Sequence, residues 1–151
     1  MQMRAIALLV FFSAAIISRG DLVLPFQEAL DFMKQAECIS LYYIPPIADE
    51  HPSQANRRTW RRATAEQKGQ LLGIFTRPEN YFSGTWSVSE GPATDHIRIE
   101  FQKGKDKLTL TCGLAILEGK FQGKTIQGLL TGAAPMELHK LRKAFSEAEL
   151  R

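Results

Sequence analysis

Beyond its first twenty residues, the chain switches between the helical and the strand period of apolar spacing. Residues 25–36, PFQEALDFMKQA, place Phe26, Ala29, Leu30 and Met33 at i, i+3, i+4 and i+7, which predicts a helix with one apolar stripe. Pro25 suits its first turn, where a missing N–H costs no hydrogen bond. Residues 38–44, CISLYYI, are β-branched and aromatic and stop at Pro45-Pro46. They predict a strand, and apolar residues at both alternations suggest a central one covered on both sides. Residues 47–56 read as a polar loop. A second helix is expected over Thr64 to Thr76, where Thr64 and Gln67 have capping-box spacing and Leu71, Leu72 and Phe75 form the buried side. Gly69 and Gly73 weaken it, and Arg77-Pro78 ends it.

From Tyr81 onward the period becomes two. Residues 84–88 make a short candidate strand. In residues 95–101, Ile97, Ile99 and Phe101 share one face, and His96, Arg98 and Glu100 the other. Residues 102–106 are a hairpin turn. Residues 107–112 then alternate again, with Leu108, Leu110 and Cys112 inward and Thr109 and Thr111 outward. Further short strands are expected over 114–117 and 124–130, around a turn at Gly119 to Gly123. Pro135 opens a final helix with Leu138, Leu141, Phe145 and Ala148 inward. The expected fold is therefore one small α+β domain. Its antiparallel sheet has about four to six strands, with helices packed on one face and the polar row of residues 95–101 on the wet face.

The first twenty residues stand apart. Arg4 precedes an unbroken apolar or small run from Ala5 to Ile17, and Ser18-Arg19-Gly20 sets small residues before Asp21. This is the pattern of a secretory signal peptide over residues 1–20, with the domain occupying residues 21–151. The run is short for a spanning helix, which needs about 20 apolar residues. The expected location is secreted or periplasmic, with no membrane span after cleavage.

Export changes how charge and cysteine are read. The chain carries 19 basic and 16 acidic residues; removing Arg4 and Arg19 leaves 17 against 16, a net charge of +1. A polyanion partner must then be held by a local patch rather than by the global balance. The two cysteines, Cys38 and Cys112, are expected to form a disulfide in an oxidising compartment, worth about 4 kcal/mol for a loop of that length.

The one strong patch is RRTWRR at residues 57–62, where Arg57, Arg58, Arg61 and Arg62 surround Trp60. If helical, it would set Arg57 beside Arg61 and Arg58 beside Arg62, two positive ridges whose self-repulsion something must offset. Export points away from nucleic acid and toward an acidic protein or an anionic envelope component. Gly119-Lys120-Phe121-Gln122-Gly123-Lys124-Thr125 imitates a phosphate loop but has three residues between its glycines where four are needed, and a strand rather than a helix follows. It reads as a hairpin.

Gly84-Thr85-Trp86 resembles the G-x-W signature of lipocalin-type barrels, yet too little chain follows to build such a barrel. None of His51, His96 and His139 has metal-ligand spacing, and no cofactor motif is present. His139, beside Lys140, Arg142 and Lys143, reads as solvent-facing. No catalytic residue is assigned. The expectation is an exported, non-catalytic binding module for a protein or anionic envelope component, with Arg57, Arg58, Trp60, Arg61 and Arg62 as its binding residues. The alternative is a small exported hydrolase with its site near His96 on the polar sheet face. His96 and Glu100 lie too far apart along one strand to pair directly.

Overall fold

The apolar spacings resolve into three α-helices and seven strands in a computed structural model that describes residues 22–45, 59–84, 86 and 96–149. In chain order these are β1 (Leu22–Val23), α1 (Gln27–Lys34), β2 (Cys38–Ile44), β3 (Arg61–Arg62), α2 (Ala65–Phe75), a short 3-10 turn (Pro78–Asn80), β4 (His96–Lys103), β5 (Asp106–Cys112), β6 (Ile116–Phe121), β7 (Lys124–Leu129) and α3 (Ala134–Glu149). The expected leader at residues 1–20 and the loop at 47–56, with His51, lie outside the described residues. So do all but Gly84 and Trp86 of the candidate strand 84–88, and those two residues are not in a strand.

The fold is α+β, but its sheet is larger than expected and mixed. All seven strands join in the order β1-β7-β6-β5-β4-β2-β3. Strands β4 to β7 form an antiparallel meander, β2 pairs antiparallel with β4, and β3 pairs antiparallel with β2. The departure is β1, which lies parallel to β7 with Leu22 opposite Ile126. Periodicity does not reveal a two-residue strand whose partner lies at the far end of the chain. β3 is equally short.

Alternation along the meander builds the core. Ile97, Ile99 and Phe101 lie opposite Cys112, Leu110 and Leu108, and Leu117 and Phe121 continue the same face on β6. All are buried, each apolar side chain contributing roughly 1.5–3 kcal/mol relative to exposure. The helices supply the facing layer through Leu30 and Met33 of α1, Leu71, Ile74 and Phe75 of α2, and Leu138, Leu141 and Phe145 of α3. Phe32 meets the Phe121 ring at 5.1 Å, and Phe75 meets Phe101 edge-on at 6.1 Å. Among the described residues, helices cover β2 on one side, where Ile39 and Leu41 are buried, while Ser40 and Tyr42 alternate onto the other face and are half-buried.

The capping box forms as expected. Gln67 N donates to Thr64 Oγ1 at 3.1 Å, and Thr64 N donates to Gln67 Oε1 at 3.0 Å. At the other end of α2, Asn80 Nδ2 donates to the carbonyls of Gly73 and Ile74, and the buried Tyr81 hydroxyl donates to that of Phe75 at 2.6 Å. Burial, and after it the nearby Cys112 thiol, pushes the Tyr81 phenol well above its ordinary value.

The β6–β7 hairpin turns one residue pair later than the glycines suggested. Gln122 (φ 51°) and Gly123 (φ 75°) make the turn, the positive φ at both central residues that a tight hairpin requires. Gly119 sits inside β6 opposite Leu110, where a Cβ would come within 1.8 Å of the Thr109 carbonyl oxygen. It is a close-approach glycine rather than a turn glycine.

One further expectation is corrected. Cys38 and Cys112 are not bonded to each other. Cys38 lies opposite Gln102 at one end of β4, and Cys112 lies opposite Ile97 at the other end on the next strand. Five residues of strand put them roughly 16 Å apart along the sheet alone, beyond disulfide reach. His139 is exposed on α3 as expected, but its neighbour Arg142 is fully buried. The Arg142 Nη1 donates to the Gly113 carbonyl, and its Nη2 donates to His139 Nδ1 at 3.0 Å.

Candidate binding site on the open sheet face

The strand alternation that buries Ile39 and Leu41 sends Ser40 and Tyr42 to the face opposite the helices. Across β4 that face continues as Arg98 opposite Tyr42 and Glu100 opposite Ser40. Across β5 it continues as Thr111 and Thr109. Glu118 and Lys120 of β6 follow in turn.

The described end of the arginine-rich segment joins the sheet as an edge strand, β3, at Arg61–Arg62. β3 pairs Arg61 with Leu41 and Arg62 with Ser40, so the two arginines point to opposite sides. Arg61 follows Leu41 toward the helices, with its guanidinium 5.8 Å from the Phe145 ring centre. Arg62 follows Ser40 onto the open face. Trp60, at the same alternation as Arg62, stacks on Tyr42 with ring centres 5.5 Å apart and planes tilted by 42°. Arg57 and Arg58 lie outside the described residues. Of the five expected binding residues, the structure therefore places Trp60 and Arg62 together, sends Arg61 to the other side, and adds Tyr42 and Arg98.

This corner is exposed and positive. Trp60 is 43% exposed, unusual for so large an apolar ring, and Arg62 and Arg98 are exposed beside it. Arg98 Nε donates to Thr111 Oγ1 at 3.4 Å, which turns the guanidinium toward β5, on the far side of β4 from Tyr42. The nearest carboxylate in the grid, Glu100, is half-buried and held by Lys107 at 3.2 Å. The corner therefore sets two arginines beside an aromatic platform, Arg62 on β3 at the same alternation as Trp60 and Arg98 across from Tyr42 on β4. They stand on strands two spacings apart, roughly 10 Å.

Tyr42 and Arg98 were legible in principle. Tyr42 alternates with Ser40, and Arg98 stands in the polar row already noted. What hid them was the register, which alone sets Tyr42, Arg98 and Trp60 side by side.

His96 does not gather a catalytic partner. It begins β4 opposite Ile44, and among the described residues its imidazole makes no hydrogen bond or ion pair. The Thr111 hydroxyl on the neighbouring strand is taken by Arg98. Among the described residues, no three His, Cys, Asp or Glu side chains come together to hold a metal, and no helix is long and apolar enough to cross a membrane.

No protein family, curated protein or solved structure matches the chain. The fold and the corner define its class in physical terms: an α+β domain with helices on one sheet face and an aromatic, arginine-flanked edge on the other.

Proposed function

We propose that this chain is an exported, non-catalytic binding module that captures an anionic partner on its open sheet face. One observation carries the reading: the exposed Trp60–Tyr42 stack has Arg62 and Arg98 beside it. An exposed indole presents a flat apolar surface on which a planar or sugar-like group can rest. The guanidinium groups supply paired donors for carboxylate, sulfate or phosphate. With a net charge of +1 after loss of the leader, the local corner rather than the whole domain does the attracting. Export rests on the sequence of residues 1–20 and favours an acidic envelope polymer as the partner. No observation favours a second reading at His96.

The test uses immobilised sulfated dextran as the polyanion. The double variant Arg62→Glu/Arg98→Glu should elute at distinctly lower salt than Arg61→Glu, which points toward the helices. Losing both contacts should weaken binding at least about tenfold, the scale of one charge-assisted hydrogen bond. Identical elution of the two variants would remove the corner from the proposal. N-terminal sequencing of protein secreted by the expressing cells checks export separately, with Asp21 as the expected first residue.

A further inference from the structure

The helical side of the molecule carries a second concavity, away from the corner just described. α2 and α3 part to leave a groove of about 460 Å³, within the range of small-ligand clefts. Its floor is apolar, formed by the buried side chains of Ile74 and Leu141. Gly73 and Ala144 hold the walls back. A Cβ at Gly73 would meet no atom within 4 Å, so packing does not demand glycine there. Glycine inside a helix is also disfavoured relative to alanine. What the missing side chain does provide is open space.

The rim is polar, with Gln70 and Arg77 on α2 and Glu137 and Lys140 on α3. Among the described residues, none of these four side chains has a hydrogen-bond or ion-pair partner. Two cations against one carboxylate leave the rim one positive charge in excess.

We propose that this groove is a separate ligand site for a small monoanion with an apolar body, of the medium-chain carboxylate class. The hydrocarbon lies on Ile74 and Leu141 in the space Gly73 leaves open. The carboxylate sits at the rim, bidentate on Arg77 and reached by Lys140. Glu137 disfavours a second negative charge and selects a monoanion over a dianion.

The probe is decanoate, kept below its micelle threshold and titrated into isotope-labelled full-length protein, with amide chemical shifts as the readout. Saturable shifts are expected in residues 70–77 and 137–144. Decyltrimethylammonium, a cationic chain of the same length, should produce none. Affinity should fall at least about tenfold in Arg77→Glu/Lys140→Glu, both exposed positions whose substitution leaves the core intact. It should fall as far in Gly73→Leu, which fills the groove without lowering the thermal midpoint. Shifts that never saturate, equal binding of the cationic chain, or undiminished affinity in either variant would overturn the assignment.

Discussion

Arg142 is the most costly residue to misplace in this fold, and two substitutions there separate its contributions. Its guanidinium is fully buried, donating to the Gly113 carbonyl in the β5–β6 connection and to His139 Nδ1 one turn back on α3. A buried hydrogen bond from a charged donor contributes about 1.5–3 kcal/mol. The three stem methylenes add about 0.8 kcal/mol each through burial. Against this stands the desolvation of the charge, worth several kcal/mol. Arg142→Ala removes the bonds, leaves the Gly113 carbonyl without its donor and opens a cavity; about 3–5 kcal/mol should be lost. Arg142→Met keeps the stem volume and relieves the desolvation, so its cost should be smaller by about 2 kcal/mol or more. Urea unfolding followed by far-ultraviolet circular dichroism gives both values. If Arg142→Ala unfolds within about 0.5 kcal/mol of the parent protein, the side chain is solvated and the α3-to-sheet contact described here is wrong.

Other outcomes follow from single contacts. Thr64→Ala removes half of the α2 capping box and should cost about 1 kcal/mol in urea unfolding, while Thr64→Ser should cost far less. Gly119→Ala drives a methyl into the Thr109 carbonyl and should cost about 3 kcal/mol or more; Gly73→Ala, with open space around it, should stabilise by up to about 1 kcal/mol, and equal effects from the two would refute the β5–β6 register. Because burial raises the folded-state phenol of Tyr81 above its unfolded value of 10.0, the stability this contributes is fully present below pH 10 and is lost as pH rises beyond it. Alkaline unfolding curves of Tyr81→Phe should therefore fall less steeply above that pH than those of the parent, and parallel curves would count against burial of the hydroxyl.

Much of the fold is legible in the residues because the relevant signals are local. The strand at 38–44 follows from its β-branched and aromatic composition, those at 96–112 from alternation, and α2 from its capping pair and apolar side. What escaped are features set by distant partners. β1 is two residues long and meaningful only beside β7. Gly119 reads as a turn until Thr109 is seen against it. Nothing in the basic stretch around His139 marks Arg142 for burial until the Gly113 carbonyl is seen behind it. Oxidising export argued for joining Cys38 and Cys112, and the β4 register separates them. The candidate site shows the same division. Trp60 and the arginines stand out in composition, but the edge-strand alternation of β3 decides that Arg62 faces out beside Trp60 while Arg61 faces the helices. Tyr42 and Arg98 join them only through cross-strand pairing.

The claim on which the functional reading depends is that the Trp60–Tyr42 platform and its two arginines receive an anionic partner. Chemical-shift mapping during titration with a soluble sulfated oligosaccharide tests it most directly. The account predicts saturable, salt-sensitive shifts at Tyr42, the Trp60 indole, Arg62 and Arg98, with Arg61 little changed. Shifts that bypass the indole, or that spread evenly over exposed lysines such as Lys105 and Lys124, would contradict it.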